Sequence, residues 1–156
     1  MLISTLNLSG IWMSNTIIDR FREADEPLTV YKLNSVLYLT ECLHIQRHDT
    51  MLGSGNFLVT DTGIIDPTIQ WKFDHTKITL VTNHLLAAGE DGKRYRYRHY
   101  SYVDSFNNCV LAVVNILRGL NDVEVYRYIS EGNFHWDDML ARGSTTVRDM
   151  RAQIVL

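Results

Sequence analysis

Six histidines, two cysteines and a run of arginines interleaved with tyrosines are the residues of this chain whose chemistry could reach beyond packing. His44 and His48 lie one helical turn apart, so both imidazoles could face one ion, with Glu41 near the same face. The intervening residues Gln46 and Arg47 leave out the glutamate base of an HExxH zinc site. A stable zinc site also needs a third and a fourth ligand, and His75, His84, His99 and His135 are scattered. The expectation is no metal; cations near a helix end are favoured by its dipole. Cys42 and Cys109 sit in apolar helical contexts and read as free buried thiols, with a Cys42–Cys109 bridge left open. No GxSxG elbow and no GK[ST] occurs, and Gly53-Ser54-Gly55 lacks a third glycine. Asp137-Asp138 reads as acid placed at the first turn of a helix. This pattern points away from an enzyme and from any cofactor.

The charged stretch with a partner chemistry of its own is KRYRYRHYSY, Lys93 to Tyr102. As a strand it alternates, with Arg94, Arg96 and Arg98 on one face and Lys93, Tyr95, Tyr97 and His99 on the other. Such a surface could grip phosphates and stack on bases, or supply the Arg and Tyr anchors of a protein interface. The formal net charge of -3 argues against a broad nucleic-acid surface. Two readings stand: a hairpin with its tyrosines packed on the core and its arginines in water, and a protein-contact set of Arg94, Tyr95, Arg96, Tyr97, Arg98 and Tyr100.

The elements that must position these residues are mostly helical. Ile11 to Ala24 is amphipathic, and Asp25-Glu26-Pro27 breaks it. Leu28 to His48 is apolar on more than one stripe, as a buried central helix would be, and Thr29 is placed to cap it. Asn56 to Thr60 reads as a short strand between turns, and PTIQWKF as a short helix with Pro67 in its first turn. Ile78 to Leu86 and the Tyr/Arg run read as a hairpin around Asp91-Gly92. Val103 to Arg118 is a helix ended by Gly119, followed by one capped by Asn121 or Asp122 and ending near Gly132. Asn133 is placed to cap FHWDDMLARG, and Ser144 to cap the final TTVRDMRAQI, with Asp149 too late for a capping box. The fold expected is mainly α (α+β): a compact multi-helix domain around a central buried helix, with a small β-hairpin in the middle.

At 156 residues the chain fits one domain, and 46% apolar with 21% charged residues is a globular composition. The start MLISTLNLSG has neither the basic region nor the apolar run of a signal peptide, and no run reaches the length of a membrane span. A cytoplasmic protein without membrane contact is expected, its oligomeric state left open.

The central segment LTVYKLNSVLYL resembles the Panacea domain, the family of SocA-like antitoxins and GepA-like proteins of phages and mobile elements. The matching residues are Leu28, Thr29, Lys32, Leu33, Leu37 and Tyr38. The upstream IIDRFREADEP, the piece from Val59 through IIDPTIQWKF, and Trp136 with Gly143 and STTVRDM follow in the family's order. Gly63-Ile64-Ile65 stands where the family carries Gly-Pro-Val, and the Tyr/Arg hairpin is longer than the family's layout. The resemblance implies a binding module that neutralises a toxin by direct contact, in some members as an adaptor delivering it to a protease. Two other readings stand beside it: a phage-encoded inhibitor of a host defence protein such as a nuclease, and a nucleic-acid-binding regulator. In all of them the signature residues are structural, with Lys32 paired to a carboxylate or a helix end and Tyr38 bonded across the core.

Overall fold

The computed structural model describes residues 3–74, 79–85, 87–88, 95–96 and 98–156, with the backbone alone at 87–88 and 95–96. In chain order the elements are β1 (Ser4–Thr5), α1 (Gly10–Glu23), α2 (Val30–His48), β2 (Thr50–Met51), β3 (Leu58–Thr60), β4 (Gly63–Ile65), α3 (Pro67–Asp74), β5 (Ala87–Ala88), β6 (Tyr95–Arg96), α4 (Asp104–Leu117), α5 (Asp122–Glu131), α6 (Trp136–Arg142) and α7 (Val147–Ala152). The expected mainly helical fold around a buried central helix is the one observed. Among the described residues the strands form three separate pairs: β1 parallel to β2, β3 antiparallel to β4, and β5 antiparallel to β6.

Helix α2 is the axis. Every residue from Lys32 to Ile45 is buried, and α1, α3, α4, α5 and α7 all pack on it. Thr29 caps it as expected, its hydroxyl accepting the Lys32 N–H at 2.9 Å. The cap is itself held, since the same hydroxyl donates to Asp122 Oδ1 at the start of α5. An apolar stripe on one side would need only one partner element; burial on all sides needs a shell of helices, and the sequence supplies one. The core around it includes Ile17, Phe21, Leu33, Tyr38, Phe106, Val113 and Met139.

Several polar residues of α2 tie neighbouring segments to this axis. Asn34 accepts the Asp66 N–H and donates to Gln70, fixing the start of α3. Tyr38 donates to Gln153 Oε1 beyond α7. Glu41 accepts the Leu52 N–H, and His44 reaches the Thr50 carbonyl and the Ser105 hydroxyl. Buried polar atoms are costly unless bonded, so these loops are the groups that make the helix's polar positions tolerable. The exceptions among the described residues are Thr40 Oγ1 and Tyr31 Oη, buried without a hydrogen bond.

Four local expectations need correction. The strand expected over Asn56–Thr60 is formed only at Leu58–Thr60, as one arm of a hairpin whose other arm, Gly63–Ile65, is too short to show a period. Gly63 has φ +146°, and a Cβ there would fall 2.6 Å from Tyr31 Oη, so the turn requires glycine. The strand from Ile78 to Leu86 is not formed over residues 79–85. That stretch makes a single bridge, Leu80 to Thr29. Some of its backbone groups go to side chains, the Thr82 carbonyl to Arg22 and both Leu85 groups to Asn15. Asn133 does not cap α6: its side chain accepts the His135 N–H and donates to the Asp149 carbonyl. Finally, Thr146, not Ser144, caps α7, which places Asp149 at the third position and completes a capping box. The Asp91-Gly92 turn lies outside the described residues.

Candidate functional site

Helix α1 carries the platform on which the expected contact stretch ends. Asn15 is fully buried, yet its amide serves two chain segments. Nδ2 donates to the carbonyls of Leu85 and Arg98, both at 2.8 Å, while Oδ1 accepts the Leu85 N–H at 2.7 Å. One turn's neighbour, Thr16, accepts the Tyr100 N–H at 2.7 Å. Asn15 thus clamps the two segments that lead into and out of β5 and β6. On the outer side of α1, Asp19 pairs with His84 at 2.6 Å.

Above this clamp the chemistry is aromatic and cationic. The exposed Arg98 guanidinium stands 5.4 Å from the Trp12 ring centroid. Trp12 leans on Tyr100 at 5.4 Å, and Tyr100 meets Tyr102 edge-on at 6.1 Å. Tyr102 is 71% exposed.

Of the six expected contact residues, Arg94 and Tyr97 lie outside the described residues. Tyr95 and Arg96 form β6, paired with Ala88 and Ala87. Arg98 is exposed as expected. Tyr100 is a correction. It is 8% exposed, its ring packs on Phe106, and its hydroxyl accepts the Ser9 N–H at 2.9 Å. A side chain so spent belongs to the core, not to a contact surface. The period-two alternation does not extend to it because residues 98–100 are not strand. Trp12 is a member of this surface outside the expected stretch, and Tyr102, the last residue of that stretch, is the exposed tyrosine in place of Tyr100. Trp12 reads as part of an apolar helix face, and only the return of residue 98 onto α1 reveals its second use.

The signature residues are scaffold. Leu28, Leu33, Leu37 and Tyr38 are core. Lys32 donates to the Leu120 carbonyl just past the end of α4, the helix-end partner expected, and stands 6.0 Å from the Phe21 ring. Trp136 packs edge-on against Tyr126 at 5.7 Å.

A second region is a cavity of about 230 Å³ between α2, the Gly53–Phe57 loop and the start of α3, open to solvent on the side of Ser54, Asn56 and Thr68. Two carboxyls line it. Glu41 is 2% exposed, with both oxygens within 3.1 Å of the Leu52 nitrogen. Burial pushes its carboxyl up to about 7, against the pull of the Leu52 and Gly53 amides. Asp66 caps α3, its Oδ1 accepting the Thr68 and Ile69 N–H groups. Burial raises Asp66 as well.

The histidine pair does come together, with ring centroids 4.6 Å apart. Both ring nitrogens of His44 already have partners, Thr50 and Ser105, and burial lowers its pKa. Glu41 is turned to the Leu52 amide. No group of three or more potential metal ligands occurs among the described residues. Cys42 and Cys109 are free and buried, and burial pushes both thiols up, away from the reactive thiolate. Among the described residues, no helix is long and apolar enough to cross a membrane. No protein-family model matches the chain, and neither a curated protein nor a solved structure matches it.

Proposed function

We propose that this chain is a protein-binding module that acts by occlusion, covering the working surface of a partner protein without making or breaking a bond. The observation that carries this reading is the exposed Arg98 held over Trp12, with Tyr102 beside it, on a platform clamped by Asn15. Arg, Trp and Tyr are the residues that dominate the energetics of protein interfaces, and a rigid base lowers the ordering cost of contact. The resemblance of Leu28–Leu39 to the Panacea domain points the same way and supplies the partner class, a toxin. In this reading the chain is an antitoxin-like cytoplasmic protein, and the buried signature holds the fold while the surface beside α1 holds the partner.

The test is capture of the product of the adjacent gene by the immobilised chain. The expected result is a stoichiometric complex that Arg98→Glu combined with Tyr102→Ala weakens at least tenfold, the scale of a lost interface anchor. Phe134→Ala, at a position 84% exposed between α5 and α6, should leave it intact. Equal capture by the double variant would remove this surface from the interaction. Tight, salt-steep binding of random duplex instead would favour the nucleic-acid reading.

A further inference from the structure

The cavity beside α2 has a feature that packing does not explain. Its volume is about 230 Å³, roughly the share of seven or eight waters, and it opens to solvent beside Ser54 and Asn56. That is below the size of pockets for drug-sized molecules and close to that of one long side chain. Its walls mix apolar groups, Met13, Leu37 and Phe57, with the carboxyls of Glu41 and Asp66, and no Lys, Arg or His lines it. The two acids come from different elements. Neither is in an ion pair with any described residue.

Their hydrogen bonds leave acceptor capacity unused. Glu41 takes the Leu52 and Gly53 amides, which leaves lone pairs on its carboxylate oxygens, and the Asp66 cap uses Oδ1. Asp66 Oδ2 accepts no hydrogen bond from a described residue and faces Gly10, where a Cβ would stand 3.5 Å from it. A side chain at position 10 would enter this space; glycine leaves it open. The raised pKa values of both acids are those of carboxyls removed from water without a counter-charge.

We propose that this cavity is a binding site for one cationic group, a guanidinium or an ammonium, held between the Glu41 and Asp66 carboxylates. A guanidinium presents several N–H donors in one plane, which matches two carboxyls that each keep a free acceptor. The apolar walls suit the methylenes behind such a group. The cation arrives either on a protein side chain or as a free small amine or guanidine, and the inference does not depend on the surface at Arg98.

Methylguanidinium is the first probe, titrated at pH 8 into nitrogen-15-labelled protein. The amides of Leu52, Thr68 and Ile69 report directly, because each is bonded to one of the two carboxyls. Saturable shifts at these amides are expected. Glu41→Gln and Asp66→Asn should each weaken binding about tenfold, the loss of one charge-assisted hydrogen bond. Asp137→Asn, an exposed acid outside the cavity, should leave it unchanged. Asn retains the cap at position 66, so this variant reads binding even if Glu41→Gln unfolds. Arginine capped at both ends, Nα-acetyl-arginine N-methylamide, separates the sources. Binding as tight as methylguanidinium identifies a side chain on a protein; binding of methylguanidinium alone identifies a free ligand. No localised shift with methylguanidinium, or shifts that neither variant weakens, would overturn the site.

Discussion

At the hairpin base, α1 offers a fully buried amide, Asn15, to the backbone of two segments and leaves Arg98 and Tyr102 in solvent. At the cavity, α2 offers a buried acid, Glu41, to one loop and leaves its charge without a partner. An amide both donates and accepts, so it can satisfy Leu85 and Arg98 at once and carries no charge to solvate. A carboxylate only accepts, and its ionised form is expensive to bury. The first arrangement should be indifferent to pH and to ligands at the clamp. The second should respond to both.

The comparison presupposes that both regions hang on a common core. Leu33→Ala, at a fully buried position of α2, tests this at the largest scale. A loss of about 3 kcal/mol in urea unfolding is expected. A single transition should report it equally from the hairpin side and the cavity side. Two transitions would mean that the regions unfold independently. Asn15→Ala comes next. It strands one N–H and two carbonyls, for about 2–3 kcal/mol if the base stays buried. Hydrogen exchange should accelerate at Leu85 and Tyr100 well before Leu52. Acceleration spread evenly over all three would contradict a local clamp.

The difference between these two variants also shows what the sequence made legible. Leu33, Val36 and Leu37 announce a buried helix because apolar residues recur on more than one face, and α2 follows within two residues. Thr29 and Gly143 announce helix ends by their own stereochemistry. The roles of Asn15, Glu41 and Asn34 are not announced, since each is one polar residue among several on its helix, and its role depends on which loop returns to meet it. Their partners are 70, 11 and 32 residues away for the bonds to Leu85, Leu52 and Asp66. Tyr100 misled for the same reason: alternation with arginines suggests a strand face, but its hydroxyl is claimed by Ser9 across 91 residues. Leu28, Leu33, Leu37 and Tyr38, the central residues of the expected family signature, belong to this local part and are buried in the core.

Glu41→Gln sharpens the contrast through pH. The folded carboxyl is pushed to about 7 against an ordinary 4.5. Between these values the native state keeps a proton that the unfolded chain has lost, so stability falls as pH rises from 4.5 to 7 and levels off above. Asp66, also raised, has the same sign. His44, lowered from 6.5, has the opposite one, since its buried neutral form loses stability as pH falls below that value. Subtracting wild type from variant cancels both. Stabilities from urea unfolding should move in favour of Glu41→Gln by about 3 kcal/mol between pH 4.5 and pH 8. A difference that stays flat would mean that the acid is not held neutral, and the Asn15 clamp would then be no different in kind.

The smallest effect belongs to Arg98→Ala. Its guanidinium meets the Trp12 face from solvent, an arrangement worth about 0.5–1 kcal/mol. Its backbone carbonyl, the group that Asn15 holds, is unchanged by the substitution. Stability should therefore fall by no more than that amount at any pH from 5 to 8, and exchange at Leu85 should not change. Partner capture should fall far more than stability, because an exposed anchor contributes in the complex and almost nothing in the free fold. If Arg98→Ala instead unfolds the hairpin base as Asn15→Ala does, the guanidinium is part of the clamp, and the residues left in solvent for a partner reduce to Tyr102 and the edge of Trp12.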